Sequence, residues 1–234
     1  MNIIITGAGR GIGFETARLF SSMKGNKVIA VSRNIDNLQK LANEIPGGKG
    51  GSYLYPLSLD LGKKGFEKSL LAYVLDRFDK TDILINNAGA MINKVITHLS
   101  SDDFDQLFSV NVKAPFLIIK SLLSHFNKNS HIVNIGSMGG FQGSAKFPGL
   151  SLYSASKGAL ATLTECLAEE LKEKGVSVNC LALGSVSTEM LEKAFPGYRA
   201  PVTPSEMAGF IVNFALNGNN IMNGKIIPVS LSTP

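Results

Sequence analysis

The 234-residue chain has two cysteines, three histidines and only 18% charged residues, and each scarcity excludes something. Cys166 and Cys180 form no C-x-x-C pair and have no histidine close by in sequence. Neither a disulfide framework nor a metal site is expected, and both cysteines read as buried, reduced thiols. No apolar run approaches the ~18 residues of a membrane helix, so no membrane partner is expected. The apolar strand that begins at Ile3 has no charged leader ahead of it, so the expectation is no signal peptide and a cytoplasmic location. The net charge is +5, yet the 23 Lys and Arg are scattered, densest at Lys63-Lys64 and Lys172-Glu173-Lys174. A nucleic-acid face shows a basic patch with a recognisable motif; none is present, and nucleic acid is not expected as a partner. The modest positive excess suits an anionic small ligand.

Hydrophobic residues make up 44% of the chain, enough for a well-cored globule. Short apolar runs alternate with amphipathic stretches. Strands are expected at 2–5, 28–31, 53–57, 83–85, 131–135, 176–181 and 226–229. Helices are expected at 12–23, 36–45, 65–78, 102–108, 114–126, 153–174 and 205–216, with a Gly-rich loop at 46–51. Continuous apolar strands separated by helices argue for a parallel sheet covered on both faces. The expected architecture is α/β: one Rossmann-type, doubly wound, seven-stranded parallel sheet spanning a single domain, residues 1–234.

Thr6-Gly7-Ala8-Gly9-Arg10-Gly11-Ile12-Gly13 lies between the first strand and the first helix. Glycines there permit a tight turn and a close backbone approach to a pyrophosphate, which the N–H groups at the helix start then bind. A ligand-free turn is the blander meaning of a glycine cluster; the strand before and helix after favour a dinucleotide. A NAD site usually carries an acid about 20 residues further on, whereas an arginine accommodates the 2′-phosphate of NADP. Here that place holds Ser32 and Arg33, and Arg10 stands in the turn itself. No acid is present, so NADP(H) is favoured over NAD(H). Asp36 reads as a helix N-cap ahead of a ribose contact.

Tyr153 and Lys157, four apart, share one helical face. An ammonium beside a phenol lowers its pKa from ~10 and makes it a usable acid or base. Alone, such a pair is common on solvated helices. Ser137, however, follows the fifth strand at the carboxyl end of the sheet, where ligands collect, and its hydroxyl is placed to hold a substrate oxygen. A loop or capping role is the alternative for Ser137.

Together these pieces resemble the short-chain dehydrogenase/reductase family over essentially the whole chain. They run in order: Thr6–Gly13, Asp60-Leu61, Asn86-Asn87-Ala88-Gly89, Asn111, Ser137, Tyr153-x-x-x-Lys157, and Gly184 with Thr188. The resemblance implies hydride transfer between a nicotinamide and a carbonyl or alcohol carbon. Tyr153 would be the general acid/base, Lys157 would lower its pKa and bind the nicotinamide ribose, and Ser137 would polarise the carbonyl. Asn111 would hold a proton-relay water or kink its helix. Asp60 and Leu61 would meet the adenine, and Asn87-Ala88-Gly89 would line the cofactor channel, Asn87 also bracing the central strands. Gly184 and Val186 would face the nicotinamide end, and Thr188 would reach the nicotinamide carboxamide or the phosphates.

Within the family the chain looks most like 3-oxoacyl-[acyl-carrier-protein] reductases. That implies an NADPH-dependent ketone reductase acting on a small or carrier-bound carbonyl compound. An NAD(P)-dependent alcohol or sugar dehydrogenase, or a non-catalytic NADP-binding sensor, is the alternative. The chain departs from the pattern in four places. Leu183 stands where proline is usual, which would leave the following turn less rigid. The Ser137–Tyr153 spacing is about three residues long, the surplus falling in a loose 139–149 loop. The lid segment 189–204 is short. The 228–232 tail lacks the usual Asp-Gly-Gly and puts the usual tetramer in question. A homodimer or homotetramer is still implied by the family, and the apolar 114–126 helix would supply a partner face or be deeply buried.

Overall fold

A computed structural model describes residues 1–45 and 51–231, so most of the Gly-rich 46–51 loop, and Ser232 of the tail, lie outside the described residues. Seven strands form one sheet: β1 (Asn2–Thr6), β2 (Lys27–Ser32), β3 (Tyr53–Ser58), β4 (Thr81–Asn86), β5 (Phe126–Ile135), β6 (Val176–Leu183) and β7 (Ile226–Val229). Their order is β3-β2-β1-β4-β5-β6-β7 and every pairing is parallel. This is the expected doubly wound α/β fold.

Strand side chains alternate between the two faces, and the apolar strands feed two cores. Ile3, Ile5, Ile83, Ile85, Val133 and Leu181 enter one, packed under α1 (Gly11–Ser22), α2 (Asp36–Glu44) and α8 (Pro204–Asn217). Ile4, Ile29, Leu84, Ile132 and Val178 enter the other, packed under α3 (Phe66–Leu75), α5 (Ala114–Leu122) and α6 (Ser151–Glu170). A strand buried on both sides needs no polar alternation, which is why these runs are continuous. Strand order reverses between β1 and β4, and in such sheets the crevice at that point receives the ligand.

Several buried polar side chains of the sheet pair with one another, although Thr81 Oγ1 and Asn86 Oδ1 find no partner among the described residues. His131 makes one ring-nitrogen bond with the Ala215 carbonyl and one with the Asn179 amide nitrogen, both 3.0 Å. Because that amide nitrogen can only donate, Nε2 accepts and Nδ1 carries the proton. Burial holds this imidazole at a pKa of about 4. Asn86 donates to Asn134 (2.8 Å), which donates to Thr164 (2.9 Å).

Four expectations need correction. The fifth helix stops at Leu122, and Phe126 begins β5 opposite Thr81; apolar residues on both sides of the turn hid the change. Its apolar surplus is mostly core: Ile118, Ile119 and Leu122 are buried, while Phe116 is exposed. The long helix runs from Ser151 to Glu170, with Lys172–Lys174 a separate 3₁₀ turn. Asp36 does not cap α2: it is the helix's first residue, and its N–H donates to Asn34 Oδ1 at 2.8 Å. Finally, Cys166 is exposed on α6, whereas Cys180 is buried in β6.

Candidate active site

The turn between β1 and α1 is built around Asn87 and Thr6. Asn87 Nδ2 donates to the carbonyls of Thr6 (3.0 Å) and Gly7 (3.1 Å), and Ala88 N–H donates to Thr6 Oγ1 at 3.0 Å. A Cβ on Gly13 would lie 2.4 Å from both Asn87 Nδ2 and the Gly7 oxygen. Gly7 and Gly11 have φ of +67° and +56°, values that favour glycine. The motif therefore has a packing requirement of its own, and it leaves the α1 N-terminus facing an open cleft.

That cleft, of about 1010 Å³, runs along the carboxyl ends of the strands. Ser32, Arg33, Asp60 and Leu61 line one end, Gly9, Arg10, Gly11 and Ile12 the middle, and Ser137, Tyr153 and Lys157 the other end. Gly7, Gly13, Asn87, Ala88, Gly89, Gly184, Val186 and Thr188 line it too. Of the residues given a catalytic or cofactor role in the sequence, Thr6 and Asn111 do not. Both act just behind its wall, Thr6 on Ala88 and Asn111 on Ala90.

Asn111 sits in a π-helical turn, Ser109–Lys113, between α4 (Ser101–Phe108) and α5. Such turns interrupt a helix at functional positions. Both of its N–H donors are used, Nδ2 donating to the Ala90 carbonyl and to Ser156 Oγ, both 2.9 Å, while Oδ1 accepts from Ala90 N–H (2.8 Å).

Lys157 is buried, and its Nζ donates to the Ile135 carbonyl at 2.7 Å. A Cβ on Gly89 would meet Lys157 Nζ at 3.5 Å and Asn111 Oδ1 at 3.4 Å, so the three converge. Burial lowers the Lys157 pKa to about 8. Ser137 Oγ accepts from Gly139 N–H at 3.1 Å, leaving its proton available to donate.

Tyr153 departs from the sequence expectation of a lowered pKa. Burial raises it, the hydrogen bond with Ser137 opposes that, and the Lys157 ammonium is not among the influences. Lys157 Nζ is turned instead onto the Ile135 carbonyl.

A short helix, α7 (Glu189–Ala194), closes over the cleft. Thr188 caps it, accepting from Leu191 N–H at 3.3 Å. Arg10 Nη1 lies 2.5 Å from Glu189 Oε2, and Asn93 Nδ2 donates to the Ala194 carbonyl at 2.8 Å. The lid is thus tied to the glycine turn at its start and to the 90–95 loop at its end. Leu183 is buried at the end of β6, and Gly184 N–H donates to the Val229 carbonyl at 2.9 Å.

A family model for the short chain dehydrogenase matches residues 1–199. The chain belongs to that family. The chain is 32% identical over 228 residues to an uncharacterized oxidoreductase of Staphylococcus aureus strain MRSA252, covering 97% of this chain and 95% of the relative. It is 29% identical over 238 residues to the 3-oxoacyl-[acyl-carrier-protein] reductase FabG of Thermotoga maritima, covering 97% and 94%. Among solved structures it resembles the 3-ketoacyl-(acyl-carrier-protein) reductase of Brucella melitensis complexed with NADH. That match has a TM-score of 0.83 at 26% identity, covering 97% of this chain and 96% of the other.

The protein is an oxidoreductase, and its cleft fits a nicotinamide dinucleotide: an extended groove, a helix N-terminus on its wall, and the half-buried Ser137 hydroxyl beside the buried Tyr153 phenol. Sequence reasoning missed Glu189, Asn93 and Ser156, whose partners lie 179, 101 and 45 residues away. No local pattern marks them. It also missed Asn37, whose Nδ2 donates to the Gly9 carbonyl at 3.2 Å; an amide one residue after the Asp36 position was a readable hint.

Proposed function

We propose that the enzyme is an NADPH-dependent reductase converting a ketone, with 3-oxoacyl thioesters the first class to test, to a secondary alcohol. The observation that carries the reading is the grouping of Ser137, Tyr153 and Lys157 along one cleft, with the Tyr153 phenol buried there. A protonated phenol is a proton donor, which is what reduction requires; alcohol oxidation requires the phenolate that burial disfavours.

When bound, the cofactor supplies hydride to the carbonyl carbon. Ser137, its lone pair engaged by Gly139 N–H, donates to the carbonyl oxygen and orients it. Tyr153 transfers its proton to that oxygen as charge develops there. Lys157, an ammonium below pH about 8, meets the ribose. A water near Asn111 would return the proton. Arg33 and Arg10, with no carboxylate at the second strand's end, favour the 2′-phosphate. Asp60 and Leu61 take the adenine, and Val186, Gly184 and Thr188 the carboxamide side; the Thr188 oxygen accepts from Leu191, so its proton is free to donate. A single catalytic domain, a cytoplasmic location and assembly as a homodimer or homotetramer complete the proposal.

The test is initial-rate oxidation of NADPH and NADH with an acetoacetyl thioester. Turnover that prefers NADPH supports the cofactor and thioester assignments. Tight NADPH binding without turnover removes the thioester class and calls for a wider ketone panel; no turnover there would favour a cofactor-binding sensor.

A further inference from the structure

The 139–149 loop builds a second cavity, of about 430 Å³, against the outer side of α6. Gly139, Phe147 and Leu150 line both this cavity and the catalytic cleft, so the two are neighbours across a wall one side chain thick. Phe141 and Ala155 add further apolar lining. No carboxylate lines it among the described residues. Its one cation, Lys146, is already bonded to the carbonyls of Phe141 (2.8 Å) and Ser144 (3.1 Å) and to Ser144 Oγ (2.6 Å).

These bonds turn the loop's polar groups onto one another. Ser144 Oγ also bonds the carbonyls of Met138 and Phe141, and the Gly149 carbonyl accepts from Lys94 N–H at 3.0 Å. The loop is therefore a braced structure whose apolar side chains remain for a ligand. The neighbouring part of the cleft is walled by Met91, Met138 and Phe195. Of the cleft's polar groups, Asn93 Nδ2 is bonded to the Ala194 carbonyl and Ser185 Oγ to the Tyr198 hydroxyl. Such a surface offers little to a polyol and much to hydrocarbon.

We propose that the second cavity is a subsite for the apolar tail of the ketone, an unbranched alkyl chain that leaves the catalytic cleft past Phe147. This rests on the ketone-reductase reading and names the substrate class. The side chain of Phe147 is the boundary the tail crosses, and the lack of a side chain at Gly139 keeps the inner edge open: a Cβ there would stand 2.9 Å from Ser154 Oγ.

The experiment uses 2-alkanones from butanone to 2-decanone, reading kcat/KM with NADPH and, separately, calorimetric affinity for the protein with NADP present. Each methylene that enters the cavity should raise both by up to about fourfold. Ala155→Leu, on an exposed helical position, and Gln142→Trp, on the exposed loop, each fill the cavity. Both should abolish the gain with length while leaving butanone unchanged. Turnover without length dependence, or a gain that survives both substitutions, overturns the proposal. No turnover with length-dependent affinity retained removes the reductase reading and leaves the tail site standing. Neither turnover nor length-dependent affinity removes both.

Discussion

Arg10 in the glycine turn and Glu189 at the start of the lid helix form an ion pair across the cleft, 2.5 Å between nitrogen and oxygen. A cofactor phosphate and the Glu189 carboxylate compete for one guanidinium. The pair is more than half exposed on both sides, so its worth is small. Glu189→Gln should tighten NADPH binding by about two- to fivefold, with a smaller effect on NADH. Arg33→Glu should reverse the cofactor preference. Fluorescence titration of both cofactors against both variants checks this, and a Glu189→Gln protein that binds NADPH more weakly contradicts it.

Lys157 is kept charged at a cost. Its pKa falls from 10.5 to about 8 in the fold, so between those values the unfolded chain holds a proton that the folded chain has lost. Stability therefore rises with pH across that window, and below about pH 8 the buried ammonium carries the full penalty, about 3 kcal/mol. Lys157→Met removes the penalty and also the bond to Ile135. The expected net gain is about 1–2 kcal/mol, a few degrees in Tm, with loss of turnover. In the native enzyme ketone reduction should fall as pH rises through about 8. Calorimetry of the variant and a pH–rate profile of the native protein decide both points.

His131 makes the fold acid-sensitive. The unfolded imidazole protonates near 6.5, but the folded one only near 4. The unfolded state therefore binds the extra proton between these values, and stability is lost as pH falls through that window. From pH 7 to pH 5 the loss should be about 2 kcal/mol. The carboxylates with lowered pKa, Asp103 and Glu206, act at lower pH. Urea unfolding at pH 7, 6 and 5 checks the slope, which should vanish in His131→Leu.

The two thiols should behave differently. Cys166 is exposed, while burial lifts the Cys180 thiol to about 11, where it is protonated and unreactive at neutral pH. A thiol reagent should modify one cysteine in the native protein and two in denaturant. Rapid modification of both would contradict the packing of β6 against α6.

How much of this was legible in the sequence follows from the range of each interaction. The sheet could be read because burial on both faces writes itself as unbroken runs such as Ile3-Ile4-Ile5 and Ile83-Leu84-Ile85. Ser137, Tyr153 and Lys157 could be read because their spacing is local and their place follows from the strand ends. The π turn at Asn111 could not, because its hydrogen bonds go to Ala90 and Ser156, set by tertiary packing. The Tyr153 pKa was misjudged for the same reason: spacing shows a neighbouring charge, but not how much water the fold removes. Phe126 was placed in a helix because its apolar character fits either element, and only pairing with Thr81 decides.

The central claim is that the buried Tyr153 phenol donates the proton in ketone reduction. Tyr153→Phe removes one oxygen and leaves the packing in place. The account predicts that this variant binds NADPH with unchanged affinity and loses at least about a hundredfold in kcat with the best ketone. Retention of native turnover by Tyr153→Phe would contradict it.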